Sequence, residues 1–421
     1  MPLSTQPSET DSPDPNWRRT LYIMVFCQLM TSIGFSSIFP FLSLYVKSLG
    51  STTSLGTELL AGLVFSCQAI TMTIASPVWG MVADRWGRKP MVERAMFGGA
   101  VILLLMAFVR SGEELVVLRA VQGLVTGTIG AANALVAAAV PRERTGYAMG
   151  LLQTGIGVGV GIGPVIGGAA ADLFGYQAAF YVTSALLAVA GVIVHWGVKE
   201  RFEPLARPAG RRGVLAGWRQ ILTARGVAAT YSLRFLDSLA RMAFVPILPF
   251  FALELVADDS RVNSFTGLVI GSAAAAAAVF GVFIGRTGDR TGHRRILILC
   301  SLAGFVAFLL QGWVTQGWQF LLLQVGAGIA HGGIITGVGA LLARYTLHGE
   351  EGAVYGLDNS INSGARALAP MVGVTVAIWF GYRAVFASVS LLYLASFLAA
   401  LWGLPRNVGP RGGEASTQAR E

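Results

Sequence analysis

The chain has 421 residues, of which 54% are hydrophobic and only 13% charged, about half of the roughly 25% charged residues usual in soluble domains. That composition excludes a water-soluble enzyme and points to a membrane protein. The formal charge is +9, but the basic residues are scattered between apolar stretches, which reports membrane topology and anionic lipid instead of a nucleic-acid-binding module.

Residues 1–17, MPLSTQPSETDSPDPNW, are polar and rich in Pro, Ser and Asp. They predict a disordered cytoplasmic tail, lacking the basic start and short apolar core of a signal peptide. Apolar stretches long enough to cross a bilayer, about 20 residues each, then predict twelve helices: 20–46, 58–82, 91–109, 114–138, 146–170, 178–197, 227–253, 264–285, 295–314, 317–342, 352–377 and 384–403. The polar stretch 198–226 divides them into bundles at 18–197 and 227–404 and is expected to be a cytoplasmic linker, with a second tail at 405–421. The cysteines Cys27, Cys67 and Cys300 lie inside apolar spans, where free Cys packs as a small hydrophobe. No disulfide framework and no metal-ligand spacing is visible, so no metal and no cofactor is expected.

Loops on one side carry most of the basic residues, among them Arg85, Arg88, Lys89, Arg94, Arg286, Arg290, Arg294 and Arg295. The other side has only Lys47, Arg110, Arg261 and Arg383. Basic residues favour the cytoplasmic face, so both termini are expected there, in an inner membrane of bacterial type.

Several spans hold residues that are costly in lipid unless they face a partner or a wet cavity. Arg119 lies about five residues into the fourth span. The fifth contains GIGVGVGIGP (155–164), five glycines at alternate positions closed by a proline. The gaps do not match a G-x-G-x-x-G phosphate loop. On a helix, Gly155, Gly159, Gly163 and Gly167 recur every fourth residue and form a smooth face for another helix, while Pro164 bends the segment. In the seventh span Asp237 has Arg234 and Arg241 three and four residues away on the same face. Asp237 is the best acidic candidate for carrying a proton, although the same spacing also suits a structural ion pair. His331 is the other candidate, since imidazole titrates in the physiological range, and it equally suits a hydrogen-bonded packing role. Pro40, Pro246 and Pro249 are expected to kink the outer ends of spans one and seven.

The two halves repeat each other. IFPFLSLYV (38–46) answers ILPFFALELV (247–256), GMVADRWGRKP (80–90) answers GRTGDRTGHRR (285–295), and GYQAAFYVTSALL (175–187) answers GYRAVFASVSLL (381–392). LRAVQG (118–123) pairs with LQVGAG (323–328), so Arg119 corresponds to Gln324. Repeated halves imply a site near the midplane between them and alternating access.

GMVADRWGRKP resembles the G-x-x-x-D-x-x-G-R-[KR] signature of the major facilitator superfamily, and LRAVQG resembles its arginine-bearing fourth-span signature. Residues 150–168 match G-x8-G-x3-G-P-x2-G-G at every fixed position, a pattern of the twelve-helix drug:proton antiporter group and its multidrug exporters. The resemblance implies an all-α integral membrane fold of two pseudo-symmetric six-helix bundles, and a monomeric transporter exchanging protons for lipophilic small molecules, not an enzyme. An importer of a polar nutrient by symport is the alternative.

Carried onto this chain, the resemblance implies a conformational latch at Gly80, Asp84, Arg85, Gly87, Arg88 and Lys89, with Asp289 and Arg290 as its degenerate copy. It implies an antiporter helix built on Gly150, Gly155, Gly159, Gly163, Pro164, Gly167 and Gly168. Proton coupling is expected at Arg119, Asp237, His331, Arg234 and Arg241. The substrate cavity is expected to use Gln28, Ser32, Phe35, Gln122, Gln153, Gln324, Asn359, Asn362 and Arg366.

Overall fold

A computed structural model describes residues 16–141, 144–200, 226–256, 258–345 and 351–405. The tail at 1–15, most of the linker and the tail from 406 onward lie outside the described residues, as does the side chain of Asp84. The described residues are helical almost throughout. Before the linker run α1 (Trp17–Ser37), α2 (Leu42–Leu49), α3 (Thr57–Trp86), α4 (Arg88–Met106), α5 (Gly112–Val125), α6 (Thr128–Ala139), α7 (Thr145–Phe174) and α8 (Tyr176–Gly197). After it run α9 (Val227–Ala243), α10 (Leu248–Leu255), α11 (Val262–Thr291), α12 (His293–Gln311), α13 (Gly317–Tyr345), α14 (Glu351–Phe380) and α15 (Tyr382–Leu398), the last closing in a π-helical turn at Ala399–Gly403.

Ten spans among the described residues are long and apolar enough to cross a membrane, with α5 and α6 together making one of them (Gly112–Ala137), and α9 with α10 forms an eleventh span bent by 52°. The segment expected as the third span lies in α4. Its first two turns hold Arg88, Lys89, Glu93 and Arg94, which leaves a shorter apolar stretch than its neighbours have. Aromatic side chains crowd both ends of the bundle. Trp86, Trp196 and Trp402 are exposed at the end where the described chain starts and finishes, and Trp313, Trp379 and Phe380 at the opposite end, as suits rings at a lipid headgroup boundary.

Three predicted spans are broken. The first is interrupted over 38–41 around Pro40, and the seventh over 244–247 around Pro246, with Pro249 in the first turn of α10. Proline lacks the amide hydrogen that a continuing helix requires. The break in the fourth span was not anticipated: Thr126 is extended and Gly127 has φ 134°, a backbone state costly for residues bearing a Cβ. The carbonyl of Leu124 beside this break accepts a bond from Trp79 Nε1 at 2.6 Å, and the Arg94 guanidinium lies 3.6 Å from the centre of that indole.

The sequence repeat reappears as a repeated joint. Gly87 and Gly175 in the first half, and Gly292 and Gly381 in the second, each join two long helices by a single residue, with φ between 83° and 98°. Each amide nitrogen still donates to the carbonyl four residues back, at 2.9–3.0 Å, so the helix ends cleanly and the chain reverses.

The halves meet along two seams, α7 against α11 and α3 against α14. Glycines permit the first. Pro164 and Gly161 of α7 abut Gly267 and Gly271 of α11, and Gly168 abuts Asn263. On its other side α7 presents Gly155, Gly159, Gly163 and Gly167 to Val25, Ser32, Ser36 and Ser37 of α1, which is the four-residue face expected from the sequence. Helix α7 continues through Pro164 without a break.

Polar contacts also join the halves. Asp172 near the end of α7 accepts from the backbone nitrogens of Asn263 (3.3 Å) and Ser264 (2.6 Å) and from Asn263 Nδ2 (2.7 Å), capping the start of α11. Tyr382 donates its hydroxyl to Glu58 of α3 at 3.0 Å. These contacts lie at the end away from the chain termini. At the terminus-bearing end, Ile74, Val78 and Met81 of α3 and Gln153 of α7 are exposed.

Candidate functional site

Helix α9 carries Arg234, Asp237, Ser238 and Arg241 at helical spacing on one face. The face divides between two neighbours. Arg234 pairs with Asp358 of α14, Nε to Oδ1 3.2 Å, and Ser238 donates to Asn362 Oδ1 at 2.6 Å. Asp237 instead turns to α13, where His331 Nδ1 lies 2.9 Å from Oδ2 and 3.0 Å from Oδ1. Both residues are buried, Asp237 to 1% exposure and His331 to 6%. Two residues that were alternatives in the sequence thus form one pair, and the acid next to Arg234 is Asp358. Tyr393 of α15 completes the cluster by donating its hydroxyl to Asp237 Oδ1 at 3.3 Å.

This pair stands at the wall of a cavity between the halves, with about 790 Å³ of atom-free space that is continuous with solvent. Ser36, Phe39, Val160 and Pro164 line it from the first half. The second half contributes Arg241, Met242, Phe244, Val269, Phe308, Gln324, His331 and Tyr393 among others. The lining is mainly aliphatic and aromatic, with Phe308 stacked on Tyr393 at 5.3 Å and 13°. Most of its polar groups come from the second half, a guanidinium, an imidazole, a phenol and an amide, and the first half adds the Ser36 hydroxyl. That arrangement suits an apolar occupant bearing a hydrogen-bond acceptor.

Of the expected cavity residues, Gln324 lines this space, with its amide donating to Gln311 Oε1 at 3.2 Å. The others are not among the residues that line it. Gln28 is fully buried, Ser32 abuts Gly159 of α7, and Phe35 abuts Gly99 of α4. Asn362 is held by Ser238, and Gln153, Asn359 and Arg366 are exposed. Arg119, only 1% exposed, stays within the first half. It donates from Nε to Val64 O at 3.2 Å and from Nη1 to Gln122 Oε1 at 2.7 Å, so Gln122 serves the arginine and neither lines the cavity.

The described contacts of the latch residues stay within their own halves. Backbone nitrogens of Arg88 and Lys89 donate to the two carboxylate oxygens of Glu200 at 2.9 and 2.7 Å, and Lys89 Nζ reaches His195 O at 2.7 Å. The start of α4 is thereby capped by an acid just beyond α8. In the second half Arg294 performs the corresponding tie, donating to Leu404 O (3.0 Å) and Leu401 O (2.6 Å), while Asp289 lies 3.3 Å from His293. Gly80 faces open space, and Arg85 and Arg290 are exposed. Gly150 likewise meets no neighbour.

Sequence reasoning missed Tyr393, Glu200, Asp172 and the Glu58–Tyr382 contact. A lone phenol in the apolar run SVSLLYLASF and a lone acid four residues past Gly168 were the available signals.

Two repeated halves around a cavity walled by a buried acid–imidazole pair define a transport protein, and the chain belongs to the major facilitator superfamily. The model of that family matches twice, over residues 24–235 and 230–421. Among curated proteins, the chain is similar to the multidrug resistance protein MdtG of Serratia proteamaculans, 33% identical over 395 residues, covering 93% of this chain and 95% of that protein. It is also similar to MdtG of Dickeya zeae, at 31% identity, with 93% and 96% covered. Solved structures share the fold. A bacterial homologue of the human lysosomal transporter Spinster, inward-facing and occupied, gives a TM-score of 0.75 at 13% identity over 93% of this chain and 97% of that one. The nucleoside transporter NupG gives 0.74 at 13% identity, covering 91% and 99%.

Proposed function

We propose that this protein exports lipophilic small molecules in exchange for protons, by alternating access in the bacterial inner membrane with both termini in the cytoplasm. One observation carries the reading: the buried Asp237–His331 pair lies at the wall of an apolar cavity between the halves. A proton bound there and a molecule in the cavity occupy neighbouring positions, so each alters the free energy of binding the other. The 33% identity to MdtG supports drug export as the direction of transport, as does the glycine seam of α7.

The contacts between the halves cluster at the end remote from the termini, so the cavity opens toward the terminus-bearing end. The excess of arginine and lysine in the loops at that end supports a cytoplasmic placement for it. In this state the protein collects an occupant from the cytoplasm or inner leaflet. Release on the far side requires the Asp172 and Glu58 contacts to part and the terminus-bearing ends to close. The proton gradient supplies the energy, and the pair takes up its proton when the cavity faces outward.

Purified protein in liposomes with an imposed pH gradient tests this. Addition of compounds from a panel of lipophilic drugs should drive proton movement opposite to drug movement, and Asp237→Asn should uncouple the two. Absence of drug-dependent proton flux across the whole panel, or movement of protons and solute in the same direction, would overturn the proposal.

A further inference from the structure

We infer that Tyr393 is a positioning residue for proton binding at Asp237 and His331. The inference rests on reading that pair as the proton site. The Tyr393 hydroxyl donates to Asp237 Oδ1 at 3.3 Å, the same oxygen that lies 3.0 Å from His331 Nδ1. Its ring is 1% exposed and is held on two sides, by stacking on Phe308 and by Gly304 of α12, where a Cβ would come within 2.6 Å of the ring. A phenol so confined has few ways to point, and it points at the carboxylate.

Other charged and titratable groups surround the pair. On α9 itself Arg241 lines the cavity and Arg234 is engaged by Asp358 of α14. Arg366 of α14 lies near Arg234 and Arg241, while His331 comes from α13 and Tyr393 from α15. Among these, Tyr393 supplies a neutral donor to Asp237. A donor to a carboxylate stabilises its ionised form. The pair binds its proton as a unit, and its deprotonated state is the one in which Asp237 depends most on that donor. Removing the hydroxyl therefore makes the pair keep its proton to higher pH. The ring also forms part of the cavity wall, so the residue that holds the carboxylate touches the space an occupant fills.

The full chain has four histidines. In protein labelled with 15N-histidine and held in nanodiscs, the signal absent from His331→Gln identifies His331, and its shift can be followed with pH. In Tyr393→Phe the titration midpoint should rise by about half to one pH unit, with thermal melting close to wild type because the ring and its packing remain. A midpoint that does not move overturns the inference, as does a His331 signal that titrates in neither protein. Gly304→Ala crowds the ring without deleting the hydroxyl and should shift the midpoint in the same direction, so it decides the matter if Tyr393→Phe fails to fold. Proton-coupled transport that survives Asp237→Asn in liposomes removes the pair as proton site, whereas coupling lost in that variant with an unmoved Tyr393→Phe midpoint removes only the role of Tyr393.

Discussion

Asp237 and His331 are separated by 94 residues in sequence and by one hydrogen bond in space. Each was visible alone, because a titratable side chain inside an apolar span stands out by its cost. Their pairing was not visible, since nothing in either segment specifies how α9 and α13 pack together. The consequence for experiment is direct. If the two acted independently, only one of Asp237→Asn and His331→Gln would abolish proton coupling; as a pair, both should, measured as drug-driven proton flux in liposomes. The double variant should be little worse than either single one, because removing one partner already leaves the other buried and unpaired. Glu200 offers a test of stability instead of coupling. Its carboxylate caps the first two amides of α4, so Glu200→Ala should lower thermal stability by about 1 kcal/mol, as read from melting in detergent. Asn at this position should recover part of the loss.

Among the helices, α7 shows most plainly how much a periodicity can say. The four-residue repeat of glycines was legible, and its physical meaning, a backbone able to approach another closely without side-chain obstruction, follows from chemistry alone. Which helix fills each side was not legible. The structure puts α1 on one side and α11 of the other half on the second, so the same helix is fixed to its own bundle and forms the seam between bundles. This gives a paired prediction. Gly163→Val would drive its side chain into Ile33 and Ser36 and should sharply reduce the yield of folded protein in size-exclusion chromatography. Gly157→Ala meets nothing within 4 Å and should be tolerated, with folded yield and transport near wild type. Equal damage from the two would show that composition, and not close approach, is what this helix requires. The break between α5 and α6 carries the opposite lesson. Its residues, LVTGTIG (124–130), read as continuous span, because a glycine inside an apolar helix is common and only tertiary packing determines that Gly127 takes φ 134°.

At the scale of the whole molecule, the state observed is held by contacts at one end. Asp172 and Glu58 belong to the first half and their donors, the start of α11 and Tyr382, belong to the second. Hydrogen bonds to a charged group contribute on the order of 1.5–3 kcal/mol each, and each 1.4 kcal/mol changes a population ratio by about tenfold. Combining Asp172→Ala with Tyr382→Phe should therefore move a substantial fraction of molecules to a form open at the far end. Spin labels at Thr52→Cys and Asp259→Cys, with Cys27, Cys67 and Cys300 replaced, would report this as a longer distance component across that end. A distance distribution identical to that of the labelled parent would show that the glycine seam alone keeps the end shut.

By itself the sequence determined the membrane solvent, the helical class, the two-fold repeat and the small set of polar residues that could matter. These follow from the cost of charge in lipid, the length needed to cross a bilayer, and periodicity, which are local properties of a chain. The tertiary structure alone decided which of those residues meet: His331 and Tyr393 on Asp237, Asp358 on Arg234, Glu200 on α4, Asp172 on α11. Each of these is a contact between segments far apart in sequence, fixed by how helices pack against one another, and packing is a property of the assembled surfaces that no single helix carries.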